Sequence, residues 1–357
     1  MLNVHRRAAT FAVVGVTALA LAACSAPPAE KAGAGKNPDY KACMVSDDGG
    51  FNDKGFSQAV YGALAEAKKS LGVTTIPLES TSENDYAPNL NQAAQQLCNS
   101  TVTVGFKLSA ATKTSATQNP KLNYVTVDDS SIKLPNVKPI VFDTAQASFL
   151  AGYLAAGYSE SGIVGVYGGN PIPPVQLFMD GYADGVSYYN QENGTSVRLI
   201  GWDKKSQKGL FAGTFEDIGV GKTLTKNLLD QGVDVVLPVA GPLYQGTGEA
   251  LRDAGNGATM IGVDNDSYLT APEYKDLFLS SVVKKMARAV LSTIGEDVDG
   301  KFSNKPYAGN LENDGVELAP FHDYADKLPA GLADKVEAVR KRIIDGQITV
   351  DSPNAPK

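Results

Sequence analysis

The sequence predicts an α/β fold in which two Rossmann-like lobes face one another across a ligand cleft. Three observations support this prediction: apolar strand-like runs alternate with amphipathic helical segments, the alternating series occurs twice, and polar or glycine-rich turns follow the strands in both halves. About 320 residues follow an apolar N-terminal segment, which exceeds the usual size of a single hydrophobic core. Two domains are therefore expected.

The first lobe is predicted from the patterns between residues 39 and 142. A short apolar run is followed by a segment with apolar residues at helical spacing from Phe56 to Leu71. The predicted strands are Lys41–Ser46, Val73–Pro77, Thr101–Phe106, Tyr124–Val127 and Pro139–Phe142, and a further helix is predicted at Asn89–Leu97.

The second lobe repeats this alternation after a helical segment at Ala147–Tyr158. The predicted strands are Ile163–Tyr167, Val197–Trp202, Val233–Val239 and Thr259–Val263, and the helices between them are Val175–Tyr189, Gly221–Leu229 and Gly246–Ala254. Two doubly wound units of similar size predict two lobes that face each other.

The turns after the predicted strands are unusually polar or rich in glycine. They are Ser46-Asp47-Asp48, Asp128-Asp129, Gly168-Gly169-Asn170, Ala240-Gly241 and Asp264-Asn265-Asp266. Because open α/β sheets bind ligands at the carboxyl ends of their strands, these turns are expected to line one cleft.

Residues 1–23 have the pattern of an export signal, with two arginines before an apolar run at Ala8–Ala23. The run ends in Leu21-Ala22-Ala23-Cys24, which is similar to the lipobox of bacterial lipoproteins, so Cys24 is expected to carry a lipid anchor. The alternatives are an ordinary signal peptide and a membrane-spanning anchor, although a spanning helix needs roughly 20 apolar residues. Residues 24–38 are expected to form a flexible tether.

Composition argues against several classes of function. Without residues 1–23, which contain two arginines and no acidic residue, 30 basic side chains stand against 39 acidic ones, a net charge of −9. No nucleic-acid partner is expected, because proteins that bind nucleic acid present a basic surface. His322 is the only histidine beyond residue 23. Zinc sites with two or more histidines are therefore excluded, and a Ser-His-Asp triad would have to use His322.

Cys43 and Cys98 are the cysteines that remain beyond Cys24. Cys43 opens the first predicted strand, and Cys98 lies at the end of a predicted helix, shortly before the strand that begins at Thr101. The starts of neighbouring parallel strands lie at the same sheet edge, so a disulfide is expected in an oxidising compartment. Two buried free thiols are the alternative.

Two segments resemble ligand-binding loops but lack required residues. Gly219–Thr223 is similar to a phosphate loop, yet Glu216 stands where the first glycine is needed. Glu296–Gly300 lacks the further ligands of a calcium loop. Both segments are interpreted as surface turns, and no metal or cofactor is expected.

A series of short motifs runs through the chain, beginning with Asp47-x-Gly49-Gly50-x-Asn52-Asp53-Lys54-x-Phe56. The others are Gln146-x-Ser148-Phe149-Leu150-x-Gly152, Gly213-Thr214-Phe215, Val239-Ala240-Gly241, Ile261-Gly262-Val263-Asp264 and Ser281-Val282-Val283-Lys284-Lys285. In content and order the series resembles the basic membrane protein family, the purine nucleoside receptor type of ABC-transporter substrate-binding lipoprotein.

This resemblance implies a type I periplasmic-binding-protein fold, with two lobes joined by three crossovers and a nucleoside held between them. The implied lobes are residues 39–142 with 280–308, and residues 143–279 with 309–357. The resemblance also implies a monomer that is anchored outside the cytoplasm by its lipidated cysteine and delivers a nucleoside to an ABC permease in the membrane.

The resemblance further implies three groups of ligand-binding residues. They are Phe56 and Phe215 as aromatic walls around the base, Asp47 and Asn52 as partners of the base edges, and Asp264, Lys284 and the Gly241 backbone as the ribose-binding group. A purine nucleoside has two π faces, polar base edges and vicinal hydroxyls, which stacking rings, a carboxylate and a lysine can bind. The alternatives are structural: core phenylalanines, helix caps at Asp47, Asn52 or Asp53, and a structural pair of Asp264 with Lys284.

The chain departs from the family pattern at two places. Lys54-Gly55-Phe56-Ser57 replaces the usual Lys-Ser-Phe-Asn, and Pro242-Leu243-Tyr244 follow Gly241 where a glycine and a threonine are common. Tyr244 is therefore a candidate for reaching into the cleft and altering which nucleoside fits.

The expected function is capture of a purine nucleoside by closure of the two lobes, without covalent chemistry. One alternative is a receptor for another flat ligand, such as riboflavin. A signalling lipoprotein and a nucleoside hydrolase are the others, although the sequence offers no aspartate cluster with metal-ligand spacing for a hydrolase.

Overall fold

Two six-stranded sheets organise residues 36–356, the part of the chain that the computed structural model describes. The strands are β1 (Asn37–Val45), β2 (Val73–Leu78), β3 (Ser100–Val104), β4 (Asn123–Val127), β5 (Val137–Phe142), β6 (Ile163–Gly168), β7 (Arg198–Ile200), β8 (Trp202–Asp203), β9 (Lys208–Gly209), β10 (Val235–Val239), β11 (Thr259–Asp264), β12 (Phe278–Lys284), β13 (Tyr307–Gly309) and β14 (Val316–Leu318). The helices are α1 (Phe56–Ser70), α2 (Tyr86–Gln95), α3 (Ser109–Gln118), α4 (Thr144–Tyr158), α5 (Pro173–Asn193), α6 (Ile218–Leu229), α7 (Tyr244–Ala254), α8 (Ser267–Thr270), α9 (Met286–Val298) and α10 (Leu332–Ile344).

The two sheets share one strand order. The first is β2-β1-β3-β4-β5-β13, and all neighbouring strands in it are parallel. The second is β7-β6-β10-β11-β12-β14, in which only β14 is antiparallel to its neighbour. In each sheet the strand order reverses once, between β1 and β3 and between β6 and β10, and a crevice opens there at the strand ends. The predicted pair of doubly wound lobes is confirmed.

Most predicted elements occur within a few residues of their expected ends, and the differences have local causes. Strand β3 stops at Val104 because Gly105, at φ +107°, turns the chain into a short 3₁₀ helix. The strand expected at Val197–Trp202 is split into β7 and β8 at Gly201, where φ is +102°. Helix α3 was not predicted, because its sequence SAATKTSATQ has almost no apolar stripe.

The chain crosses between the lobes three times in the described residues: between β5 and α4, between β12 and α9, and between β13 and β14. Strand β12 is hydrogen-bonded to β11, so residues 280–284 belong to the second sheet, although the first lobe was expected to resume at residue 280. The crossover lies just beyond Lys284, and α9 then packs against α1 of the first lobe.

Helices α4 and α5 are in close contact because glycines occupy their interface. A Cβ atom added at Gly152, Gly181 or Gly185 would overlap a backbone carbonyl oxygen of the facing helix. Helix α4 is buried around nearly its whole circumference, between α5, α10 and strand β12. The glycines therefore set the distance between two central helices of the second lobe.

Two further links tie distant parts of the chain together. Cys43 and Cys98 are both buried and are joined in a disulfide, with 5.9 Å between their Cα atoms. In the second lobe, the buried carboxylate of Asp180 accepts hydrogen bonds from Trp202 Nε1 (2.9 Å), Ser352 Oγ (2.6 Å) and Asn354 Nδ2 (3.2 Å). Residues 352–354 are thereby attached to the middle of α5.

Replacing Gly185 by alanine is expected to lower the free energy of unfolding by about 1–3 kcal/mol, because the added methyl group meets the Phe149 carbonyl oxygen and the helices have to separate. Gly62→Ala is the matched control in an exposed part of α1, where a Cβ meets no atom within 4 Å. That change is expected to be neutral or to stabilise by about 0.5–1 kcal/mol. Urea unfolding of both variants measures the difference, and equal effects would refute this account of the interface.

Candidate functional site

A cavity of about 320 Å³ lies between the lobes, at the carboxyl ends of the strands. The first lobe lines it with residues that follow β1, β3 and β4, and the second lobe with residues around the start of α5 and the ends of β10, β11 and β12. The turn at residues 168–170, which follows β6 and was expected to line the cleft, is not part of the lining. The volume falls at the lower end of the range of about 300–1,000 Å³ that is typical of small-molecule sites. Of the predicted ligand-binding residues, six line the cavity: Asp47, Phe56, Phe215, Gly241, Asp264 and Lys284.

Asn52, the seventh predicted residue, is exposed and does not line this cavity. Its neighbour Asp53 caps helix α1, accepting hydrogen bonds from the backbone nitrogens of Gly55 (3.0 Å), Ser57 (2.8 Å) and Gln58 (2.9 Å). Of the three residues weighed as caps, Asp53 therefore has this role, and its side chain faces the helix while Asn52 is exposed to solvent.

Asp47 is held at the cavity wall by short-range contacts. Its Oδ1 atom accepts hydrogen bonds from Ser57 Oγ (3.2 Å) and the backbone nitrogen of Gly49 (3.3 Å). A Cβ at Gly105 would lie 2.9 Å from Asp47 Oδ2, so the close approach of these two turns requires glycine. Burial, with smaller contributions from the charges of Asp48 and Asp53, raises the pKa of Asp47 to about 7. Near neutral pH this carboxyl group can donate or accept a hydrogen bond.

Lys284 lies in a buried ionic cluster with one carboxylate from each lobe. Its Nζ atom is 2.6 Å from Asp128 Oδ2 and 2.9 Å from Asp264 Oδ1. Burial opposes the charge, but these two carboxylates outweigh it and raise the pKa of Lys284, so the side chain is cationic at neutral pH. The backbone φ values of Asp128 and Asp264 are +61° and +70°, a left-handed conformation that is uncommon outside glycine. Asp128 lines the cavity, as expected for the turn after its strand, but was not among the predicted ligand-binding residues.

Aromatic rings line the cavity from both lobes. Phe56 begins α1 in the first lobe, and its ring centroid is 4.6 Å from Lys284 Nζ. Phe215 belongs to the second lobe, and a Cβ at Gly169 would overlap its ring, so the packing of this ring requires glycine there. Phe178, from α5, also lines the cavity, with its centroid 5.4 Å from Lys284 Nζ. Sequence reasoning missed Phe178, because it lies inside a helix rather than after a strand.

Gly241 follows β10 at φ +52° and begins a short 3₁₀ helix that leads into α7. A Cβ there would meet no atom within 4 Å, so the backbone at Gly241 faces open space in the cavity. Pro242 also lines the cavity, whereas Tyr244 does not. The Tyr244 ring is buried against Tyr274 and Phe278, so the expectation that it reaches into the cleft is wrong for this conformation.

Lys107 adds a second lysine to the cavity wall, which the predictions did not include. It follows β3, and its Nζ atom contacts Asp48 of the first lobe (2.9 and 3.0 Å) and Glu216 of the second (3.4 Å). Lys107 lies in the short 3₁₀ helix just after β3, and a position just after a strand is the signal that marked the other site residues.

The two segments that resemble a phosphate loop and a calcium loop do not line the cavity. Gly219–Thr223 lies within the first turns of α6, and Glu296–Gly300 lies at the end of α9. Among residues 36–356, no group of three or more histidine, cysteine, aspartate or glutamate side chains is arranged to hold a metal ion, and no helix is long and apolar enough to cross a membrane. Cys24 and the expected signal segment lie outside the described residues.

The raised pKa of Asp47 predicts a specific pH dependence of stability. The unfolded carboxyl has a pKa near 3.8, so its contribution is fully present below that pH and is lost as the pH rises through about 7. Asp47→Asn does not titrate and is spared this loss, so it should gain stability relative to wild type, on the order of 4 kcal/mol, between pH 4 and pH 8. Urea unfolding at several pH values checks this, and parallel pH profiles for the two proteins would contradict it.

Comparison with known proteins identifies the family. Residues 40–353 match the family described as ABC transporter substrate-binding protein PnrA-like. The ABC transporter nucleoside-binding protein BmpA of Lactococcus lactis subsp. cremoris (strain MG1363) is 31% identical over 365 residues, covering 95% of this chain and 99% of that protein. Basic membrane protein D of Borreliella burgdorferi (strain JD1) is 30% identical and covers 69% of each chain.

A solved structure resembles most of the described fold. The crystal structure of an ABC transporter system solute-binding protein from Aeropyrum pernix K1 superposes with a TM-score of 0.75 at 25% identity, covering 88% of this chain and 94% of that one. The likeness extends across both lobes, and the type I periplasmic-binding-protein fold that the sequence predicted is confirmed. The chain belongs to the PnrA-like family of ABC transporter substrate-binding proteins.

Proposed function

We propose that this substrate-binding protein captures a purine nucleoside in the cavity between its lobes and delivers it to an ABC permease. The observation that carries the proposal is the composition of the cavity wall: aromatic rings from both lobes, a carboxyl group with a pKa near 7, and a lysine between two aspartates. The name of the Lactococcus relative, a nucleoside-binding protein, supports the same ligand class.

Each part of a purine nucleoside has a counterpart in this wall. The π faces of the base match Phe56 and Phe215, since stacking of a base on an aromatic side chain is worth about 1–3 kcal/mol. The ring nitrogens and exocyclic groups of the base match Asp47, which can both donate and accept near neutral pH. The vicinal hydroxyls of the ribose match Asp264, Lys284 and the open backbone at Gly241.

Binding is coupled to closure of the two lobes. A ligand that touches both lobes stabilises the closed arrangement by the difference between its affinities for the closed and open states. The permease then recognises the closed, loaded form, and the protein itself makes no covalent bond. Loss of labelled nucleoside uptake on deletion of the gene would distinguish this import role from a purely signalling role.

Phe56→Ala and Asp264→Ala are both expected to weaken purine nucleoside binding, by about 5- to 100-fold for the lost stacking and at least about ten-fold for the lost ribose partner. Calorimetric titration with guanosine, adenosine, inosine, cytidine and riboflavin ranks the ligands. Asp299→Ala is the control, because this aspartate is exposed beyond α9 and far from the cavity lining.

Two results of this titration would refute the ligand assignment. If a folded, ligand-stripped protein binds none of the nucleosides, the ligand assignment fails and only the assignment as a two-lobed receptor stands. Tight binding of riboflavin alone would reassign the cavity to a different flat ligand. Incubation with inosine, followed by chromatography of the product, tests for hydrolysis, and release of free base would overturn the proposed receptor role.

We also propose that Cys24 carries the lipid that anchors the protein outside the cytoplasm. The lipobox-like sequence that ends at this cysteine supports the proposal. Cys24→Ser is expected to abolish incorporation of labelled fatty acid and to release most of the protein from the membrane fraction. Cell fractionation of a strain that expresses the variant measures this, and unchanged membrane retention would show that the anchor lies elsewhere.

A further inference from the structure

Lys107 connects the two lobes at the cavity wall. Its ammonium group contacts both carboxylate oxygens of Asp48, in its own lobe, at 3.0 and 2.9 Å. The same Nζ atom lies 3.4 Å from Glu216 Oε1 and 5.7 Å from the centroid of the Phe215 ring, both in the second lobe. One side chain of the first lobe therefore reaches an acid and an aromatic ring of the second.

Both acidic partners of Lys107 are held by their own lobes. Asp48 Oδ1 accepts a hydrogen bond of 2.9 Å from the Tyr86 hydroxyl group. Glu216 Oε2 accepts one of 2.8 Å from Thr214 Oγ1. When the lobes separate, Asp48 and Lys107 remain together, whereas the contacts of Lys107 with Glu216 and Phe215 are broken. These contacts are thus specific to the closed arrangement.

The cavity wall carries six acidic and two basic side chains, so the position of each lysine decides which carboxylates are neutralised when the lobes close. Its acidic residues are Asp47, Asp48, Asp53, Asp128, Asp264 and Glu216, and its basic residues are Lys107 and Lys284. Lys284 is surrounded by Asp128 and Asp264. Asp48 and Glu216 contact the same ammonium group from opposite lobes, so without it two carboxylates of like charge would face each other on closure.

The charge state of Lys107 is consistent with its position between the carboxylates of Asp48 and Glu216. Partial burial opposes the charge, but Asp48 and Glu216 outweigh it and raise the pKa of Lys107 above its ordinary value. The ammonium group is therefore present throughout the neutral range. It neutralises Asp48 and attracts Glu216 at the same time.

We propose that Lys107 is a positioning residue that converts repulsion between Asp48 and Glu216 into attraction and so favours closure of the two lobes over the ligand. The proposal deepens the nucleoside-binding function proposed above, since it assigns control of the ligand's release rate to this residue. Its charge partner across the cleft is Glu216, half-exposed with 49% of its side chain accessible. Exposed ion pairs contribute little free energy. The more informative experiment is therefore to remove the charge of Glu216 in the Lys107 variant and ask whether closure is restored.

The first test needs no nucleoside. Small-angle X-ray scattering at about 10 mM salt, where charge interactions extend about 30 Å, compares wild type, Lys107→Met, Glu216→Gln and the double variant. The proposal requires a larger radius of gyration for Lys107→Met than for wild type, and its return towards the wild-type value in the double variant. Equal radii for wild type and Lys107→Met would overturn the proposal.

The second test measures inosine dissociation by stopped-flow displacement. Lys107→Met should release inosine about 2- to 5-fold faster than wild type, and the added Glu216→Gln change should reverse most of that increase. A merely structural role for Lys107 would give no such rescue, and additive effects of the two changes would refute the mechanism. If inosine fails to bind wild type, the proposed function fails while the scattering result still decides the role of Lys107.

Lys222→Met is the matched control for both tests. Lys222 also bridges two carboxylates, Glu249 (3.1 Å) and Asp253 (3.0 Å), but all three residues lie on the outer helices of the second lobe. Loss of this lysine is expected to leave the radius of gyration and the release rate at wild-type values. A change equal to that of Lys107→Met would show that any loss of surface charge has the effect, and the proposal would be wrong.

Discussion

A buried positive charge between two lobes is the constraint on which the site depends. Lys284 is almost inaccessible to solvent, and an unpaired ammonium group in such a position costs several kcal/mol. Asp128 and Asp264 both reach this ammonium group, and the two aspartates lie at the ends of strands in different sheets. The sheets therefore have to present the same edges to each other, and the other residues of the cavity are brought together by that arrangement.

The two lobes have the same strand order in their sheets and the same backbone conformation at the strand end that meets Lys284. Each has a parallel sheet with one reversal of strand order, and each places an aspartate in the left-handed region directly at a strand end. Left-handed backbone is tolerated by aspartate better than by most residues, although it still costs free energy. Both residues in this conformation, Asp128 and Asp264, contact Lys284 with their side chains. The strained backbone of Asp128 and Asp264 and the buried ion cluster around Lys284 therefore occur at the same place.

The sequence could predict the lobes and most of the cavity, because both follow from local patterns. Apolar runs that end in acidic or glycine-rich turns marked Asp47, Gly241 and Asp264, and all three line the cavity. Orientation within a turn is decided by hydrogen bonds that a pattern does not contain, which is why Asn52 and Asp53 could not be told apart. Contacts between residues far apart in the chain could not be predicted from local patterns either. Lys284 and Asp128 are 156 residues apart, and Lys107 and Glu216 are 109 residues apart. The burial of Tyr244 likewise depends on Tyr274 and Phe278, which the chain brings into contact only through the fold of the second lobe.

Neither lobe is continuous in the chain, and this has a consequence for the order in which the protein folds. The first sheet is completed by β13, at residues 307–309, and α9 covers α1 only after the chain has returned from the second lobe. The second lobe in turn needs residues 352–354, which satisfy the buried carboxylate of Asp180. During synthesis, an emerging chain therefore lacks essential parts of both lobes until almost all of it has been made. We therefore expect such a chain to stay largely unfolded while it is being translated and to fold only once its last residues are available.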